Sequence, residues 1–278
     1  MFSTFEHAEC VWIGFGEWGM GVTVTQRPVR TLSCRVVDAR RANHDTTRLR
    51  LAIESGGPYE FSAGQYAAVG FGDLPPRDYS MASQPDEPEI EFYIRETPDG
   101  AVSRFVNHEM KPGDPVSVTG PYGDSFLREH HRGPILALAG GPGLAPIKSI
   151  VGRALGLGMR QDIHLYFGVR DERDLFDHDH FAELADRHPN LRFVPVLSRP
   201  SGATARREGF VHEAIDADFA DLGGSKVYLA GPPVMVEACV EVVRAKGVRP
   251  GDCHADAFYT EADKARLERT AVTGGEAR

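Results

Sequence analysis

Near residue 130 the hydrophobic pattern of the chain changes period, and the two periods call for two architectures. From about 31 to 130 apolar and polar residues alternate. The run TRLRLAIE (47–54) places Leu49, Leu51 and Ile53 on one face, and EIEFYIRE (89–96) does the same with Ile90, Phe92 and Ile94. SGGP, GDLPP and KPGD separate such runs. Short alternating strands divided by turn residues predict an antiparallel barrel or sandwich. From about 134 the apolar runs PILALA, DIHLYFGV, LRFVPVL, KVYLAG and CHADAF alternate with helical patterns. Ile147, Ile150, Val151, Ala154 and Leu155 fall on one helical face, as do Val236, Cys239, Val240 and Val243. Strand and helix in alternation predict a doubly wound α/β domain, a parallel sheet wrapped on both sides.

A chain of 278 residues also holds two domains at about 150 residues each. We read 1–30 as an N-terminal extension, 31–130 as the antiparallel β-barrel, 131–259 as the α/β domain and 260–278 as a C-terminal tail, with EHHRGP (129–134) at the junction. The net charge of -9 argues against nucleic acid and against an anionic membrane surface. No apolar run is long enough to span a bilayer, and the first residues lack the basic and apolar regions of a secretory signal. Cys10, Cys34, Cys239 and Cys253 are widely spaced, which fits a reducing cytoplasm and no local metal clip. The expected location is cytoplasmic.

The stretch LALAGGPGLAPIKSIV (136–151) sets Gly140, Gly141 and Gly143 where a parallel strand turns into a helix. Free N–H groups and the helix dipole favour an anion there, and glycine lets a pyrophosphate approach the backbone. A tight turn alone also favours glycine. Two further strand ends, FGVR (167–170) and AGPP (230–233), carry similar signals. Three such loops at the carboxyl edge of one sheet favour a ligand.

In the barrel half, RDYSMAS (77–83) offers Arg77 for a phosphate, Tyr79 as a flat ring and Ser80 as a small donor. Taken alone, a tyrosine on a strand usually packs against its neighbours. DGAVSRF (99–105) reads as a turn opening a helix, with backbone donors and Ser103 set for an anion. His108, His164 and His212 fall in helix or strand patterns and read as structural or exposed. His130–His131 and His178–His180 lack a third spaced metal ligand.

On RDYS, the glycine turn followed by LAP, HLYFGVR, the GPP turn and ADAFY, the chain resembles the ferredoxin–NADP reductase superfamily. Within it, the chain is similar to the reductase components of naphthalene-type aromatic-ring dioxygenases. The likeness covers about 31–259. It implies an FAD-binding barrel followed by a nicotinamide-binding domain. It implies FAD on Arg77, Tyr79 and Ser80, with Tyr79 against the isoalloxazine, Ser80 near its N5 and Arg77 on the pyrophosphate. Tyr93, Ile94 and Arg95 match a strand bordering FAD; Gly100, Val102 and Ser103 match the turn whose amides bind its pyrophosphate. Gly140, Gly141 and Gly143, followed by Leu144, Ala145 and Pro146, match the dinucleotide turn. Gly168 and Arg170 lie at the next strand end. Gly231 and Pro232 would stand beside the reactive end of the nicotinamide, and Phe258 or Tyr259 would cover the flavin. The catalytic set implied is Ser80, Tyr79 and Phe258, with no metal.

The chain departs from this pattern at Pro142, where Thr or Ser is common, and at Ala230, where Cys is common. It also runs on past Tyr259. A plant-type [2Fe–2S] domain needs three closely spaced cysteines and a fourth, and no C-x4-C-x2-C occurs. The chain is therefore expected to hold no iron–sulfur centre. The expected cofactors are FAD and NADH, with NADPH possible. Asp171, Glu172 and Asp174, which follow the FGVR strand end, favour NADH. Ser198, Arg199, Arg206 and Arg207 would supply part of a 2′-phosphate cradle. Three functions stay open: an FAD-dependent NADH reductase feeding a separate [2Fe–2S] ferredoxin or Rieske oxygenase component, a reductase of free flavin, and a nucleotide-binding regulatory module.

Overall fold

The computed structural model describes residues 27–98 and 100–259. The first half forms a six-stranded antiparallel sheet from β1 (Arg30–Arg41), β2 (Thr46–Ser55), β3 (Tyr66–Gly70), β4 (Arg77–Ser80), β5 (Glu89–Arg95) and β6 (Pro115–Tyr122). The strand order is β4-β3-β6-β1-β2-β5. The alternation seen in the sequence sets the faces. Leu49, Leu51, Phe92 and Ile94 point inward with no exposed surface, beside Leu32, Val69 and Val118. Helix α1 (Ala101–His108) covers one end of this core with Val102 and Val106. The two edge strands nearly meet: Met81 bridges to Phe92, and Ala82 N–H donates to the Glu91 carbonyl at 2.7 Å. Among the described residues no ladder joins β4 to β5 beyond that bridge, so the barrel closes there along an unpaired seam.

The second half is a parallel six-stranded sheet of β7 (Ile135–Gly140), β8 (Ile163–Val169), β9 (Leu191–Leu197), β10 (Arg207–Glu208), β11 (Lys226–Gly231) and β12 (Cys253–Ala257), ordered β10-β9-β8-β7-β11-β12. Its helices are α2 (Leu144–Gly156), α3 (His178–Arg187), α4 (Val211–Asp218) and α5 (Pro233–Ala245). Strand β7 is buried on both faces: Ile135, Ala137 and Ala139 join the core with α2 and α3, while Leu136 and Leu138 join the core with α4 and α5. A continuous apolar run without alternation is what a strand covered on both sides requires. The strand order reverses between β7 and β11, where such sheets bind ligands at their carboxyl ends.

The core beneath α2 extends into the first half, while the barrel interior remains a cluster of its own. Ala63, Ala82, Tyr93 and Leu127 of the first half pack in the same cluster as Ile147, Ile150 and Val151 of α2. The Ser149 hydroxyl donates to the Ser83 carbonyl at 2.6 Å across that contact.

Candidate active site

The RDYS strand runs from solvent into the barrel. Arg77 and Asp78 are exposed, Tyr79 is half-buried and Ser80 is buried. The Tyr79 ring stands edge-on to Phe71 and Phe92, with centroids 6.5 and 6.4 Å away, and burial pushes its phenol up to about 12. The hydroxyl is therefore neutral at working pH, and the ring is held rigidly. The Arg77 guanidinium bonds only the Pro76 carbonyl, at 3.2 Å, and has no acidic partner among the described residues. Across the seam, the Ile94 carbonyl accepts from Asn107 Nδ2 at 3.1 Å. The Arg95 guanidinium is paired to Asp45 at 2.9 Å. The structure turns the Tyr93 side chain away, toward the second domain: its hydroxyl donates to Asp177, and its ring packs on Phe176 at 5.0 Å. Only the backbone of Tyr93 is left for a ligand in the seam.

At α1 the Ser103 hydroxyl is used locally. It donates to the Gly100 carbonyl at 3.1 Å and accepts from Thr97 N–H at 3.1 Å. The anion reading there narrows to backbone amides, since no side chain caps the helix. Gly100 is required by close approach, because a Cβ would lie 2.2 Å from Thr97 Oγ1. Val102 is a core residue.

The glycines of the second domain divide by role. A Cβ on Gly143 would lie 2.1 Å from the Ala230 carbonyl, and one on Gly231 would lie 2.9 Å from the Gly140 carbonyl. One on Gly140 would meet Met235 Sδ at 2.6 Å, and one on Gly168 would meet Val211 Cγ2 at 2.5 Å. These four let the β7 and β11 loops and the helices behind them pack closely. Gly141 differs: its φ is +50°, and nothing lies within 4 Å of the added Cβ. It alone of the five combines a left-handed backbone with open space. Leu144, Ala145 and Pro146 are buried, so their contribution to a site is the uncapped start of α2. Helix α5, whose N-terminus begins at Pro232 and Pro233, also has no side-chain cap. Arg170 is exposed, with its guanidinium 3.7 Å from Asp174.

The two halves meet at one cleft. The turn Gly141–Gly143 lies against β5. Phe258 N–H donates to the Gly231 carbonyl at 2.9 Å, which draws the terminal aromatic pair Phe258 and Tyr259, both half-buried, to the GPP turn. Asp256, on β12, was not singled out in the sequence. Burial, reinforced by the carboxylates of Asp124 and Asp78, pushes it up to about 6. An acid inside the apolar run CHADAF was the available signal.

Of the cysteines, Cys34 and Cys239 are buried free thiols and Cys253 is half-buried; Cys10 lies outside the described residues. Burial pushes Cys34 up to about 11, Cys239 to about 12 and Cys253 to about 11. Among the described residues no group of His, Cys, Asp and Glu could hold a metal, and no helix is long and apolar enough to cross a membrane.

Family models match in the order the fold shows. Residues 33–126 match the oxidoreductase FAD-binding domain and 137–241 the oxidoreductase NAD-binding domain. The chain is 44% identical over 236 residues to the ferredoxin–NAD(P)+ reductase component of the naphthalene 1,2-dioxygenase/salicylate 5-hydroxylase systems of a Ralstonia species. That match covers 85% of this chain and 71% of the relative. The chain belongs to the ferredoxin–NAD(P)+ reductase family. The corresponding Pseudomonas putida naphthalene 1,2-dioxygenase reductase component is 40% identical over the same shares. Among solved structures, the Amycolatopsis cytochrome P450 reductase GcoB superposes with a TM-score of 0.79 at 36% identity, over 84% of this chain and 71% of that one. The ferredoxin reductase of carbazole 1,9a-dioxygenase superposes with a TM-score of 0.76 at 30% identity, over 84% and 70%. As a ferredoxin–NAD(P)+ reductase, the chain is an oxidoreductase with an FAD-binding and an NAD-binding domain.

Proposed function

We propose that this chain draws electrons from NADH into FAD and passes them singly to a separate [2Fe–2S] ferredoxin or Rieske oxygenase component. The FAD unit would span 31–130 and the NAD unit 131–259. The single observation that carries the reading is the shared cleft: the Gly141–Gly143 turn lies against β5 of the barrel, and Phe258 N–H holds the terminal aromatic pair to Gly231 at the switch point of the parallel sheet. The residues fit the two cofactors. A guanidinium with no acidic partner among the described residues, a braced aromatic ring, the uncapped start of α1 and the open turn at Gly141 suit a flat ring and two pyrophosphates.

When bound, FAD supplies the conversion between an electron pair and single electrons. The protein supplies position. Arg77 would hold the FAD pyrophosphate with the amides of Val102 and Ser103, while Gly100, whose N–H donates to the Thr97 carbonyl at 3.0 Å, would shape the turn. Tyr79 would lie against the isoalloxazine, and Ser80 would donate near N5. The backbone of Tyr93, Ile94 and Arg95 would border the ring. The turn at Gly140, Gly141 and Gly143, with the start of α2 and the strand end at Gly168 and Arg170, would take the dinucleotide. Gly231 and Pro232 would flank the nicotinamide, and Phe258 and Tyr259 would keep water from the flavin edge.

NADH is favoured over NADPH because two arginines of the candidate phosphate cradle are already paired. Arg206 pairs with Glu172 at 2.9 Å, and Arg207 with Asp218 at 2.6 Å. A 2′-phosphate would have to compete with both carboxylates. The free thiols of Cys34, Cys239 and Cys253 and the need for NADH favour a cytoplasmic location.

The test is a competition between acceptors under saturating NADH. Transfer to a [2Fe–2S] ferredoxin should exceed transfer to free FMN or oxygen and should fall with added salt, as a charged docking surface requires. Faster reduction of free FMN, with no effect of salt, would make the chain a flavin reductase instead.

A further inference from the structure

Four charged side chains and one phenol meet between the two domains. Lys148 Nζ lies 2.7 Å from Glu91 Oε1, 2.8 Å from the Tyr93 hydroxyl and 3.0 Å from Asp177 Oδ2. Asp177 also accepts from Arg48 and from Tyr93. Arg48 lies on β2, and Glu91 and Tyr93 lie on β5. Lys148 is on α2, and Asp177 directly precedes α3. The Asp177 side chain is 3% exposed, that of Glu91 12% and that of Lys148 16%, with Arg48 at the rim at 35%. Two positive and two negative charges balance.

Asp177 holds an unusual backbone to reach this cluster. With φ at +52°, it is the one non-glycine among the described residues in the left-handed region. It stands at the N-cap of α3, yet its carboxylate does not cap the helix. Both the backbone and the capping oxygen have been diverted to the interface. Buried ion clusters add little net stability, because desolvation offsets attraction, but a displaced partner leaves a charge unpaired. Apolar contact between the domains tolerates small rotations; this cluster does not.

Its two members in the NAD-binding domain are joined to the site by short segments. Helix α2 begins directly after Gly141–Gly143, and Lys148 stands four residues in, about 6 Å along the axis. Asp177 ends the segment that leaves the carboxyl end of β8. The barrel grips that segment again: Asn43 Nδ2 donates to the Asp174 carbonyl at 2.8 Å, and the His44 ring lies 3.2 Å from the Arg173 carbonyl.

We propose that Arg48, Glu91, Lys148 and Asp177, with Tyr93, form a positioning device that locks the NAD-binding domain onto the FAD-binding domain. It sets the distance and angle at which a nicotinamide meets a flavin. The inference rests on the reductase reading above. These residues act through α2 and the 171–177 segment, not on the reacting atoms.

The test compares wild-type holoprotein with Lys148→Met, Tyr93→Phe and the charge-balanced pair Lys148→Met with Asp177→Asn. Each is measured for FAD content, for amide hydrogen exchange in 144–156 and 171–177, for thermal stability and for single-turnover flavin reduction across NADH concentrations. Lys148→Met should retain FAD and bind NADH within about twofold of wild type, while the limiting rate of flavin reduction falls about 10- to 100-fold. Exchange in both segments should rise. Tyr93→Phe should shift both readouts the same way by less. The double variant should regain thermal stability without regaining the rate. A limiting rate and exchange equal to wild type in Lys148→Met would overturn the proposal. So would recovery of rate together with stability in the double variant. If Lys148→Met does not fold, Tyr93→Phe decides, and wild-type rate and exchange there would overturn it. Failure of the reductase reading is distinct, since wild-type FAD would then not be reduced by NADH at all.

Discussion

Asp256 shows how one residue reports the placement of a whole strand. Its carboxyl is pushed up to about 6 by burial, with the carboxylates of Asp124 and Asp78 adding to it. A carboxyl raised in the folded state costs stability wherever it is ionised in the fold. That cost is full above the folded value and disappears as pH falls below the unfolded value of about 4. Asp256→Asn removes the charge. It should raise Tm at about pH 8, by the equivalent of about 1–2 kcal/mol, and the gain should vanish near pH 4. Thermal unfolding of both proteins across that range checks it. A gain independent of pH would mean that the Asp256 carboxyl is not raised in the fold.

At the scale of the element, the glycine turn separates a folding requirement from a binding one. Gly143 is hemmed in by the backbone of Ala230, which cannot move without displacing β11. Gly143→Ala should therefore cost about 2–4 kcal/mol of stability. Gly141 has room for a methyl group and needs only its left-handed backbone. Gly141→Ala should cost about 1–2 kcal/mol, yet weaken NADH binding more than its loss of stability accounts for, because the methyl projects into the open side of the turn. Paired measurements of Tm and NADH affinity distinguish the two, and the opposite ranking would refute this division. The turn itself was legible in GGPGLAP. Which glycine serves which purpose was not, because it depends on Ala230, Met235 and Val211, brought there by β11, α5 and α4.

At the scale of the molecule, the change of period near residue 130 gave the two architectures, since alternation and continuous apolar runs reflect burial on one face or two. Leu49, Leu51, Phe92 and Ile94 fell on the inner face as their spacing predicts. RDYS was readable as a set of residue types, and the structure adds its gradient from exposed Arg77 to buried Ser80. The face opposite that core was harder to read. Tyr93 lies on the outer face of the barrel strand; the resemblance sets that strand at the flavin border, and the structure adds that its side chain reaches Asp177. Asp177 itself carried no local signal, because its partners Arg48 and Lys148 are 129 and 29 residues away. Contacts between domains are invisible to periodicity, which reports only burial within each element.

The claim that unites these scales is that the cleft brings NADH to a bound FAD. Anaerobic titration of the FAD-loaded protein with NADH, followed by visible absorbance, tests it most directly. The account predicts loss of the oxidised-flavin absorbance with an end point of about one NADH per FAD, since both carry one electron pair. An absorbance left unchanged by excess NADH, in protein that dithionite still bleaches, would contradict it and leave a nucleotide-binding module in place of a reductase.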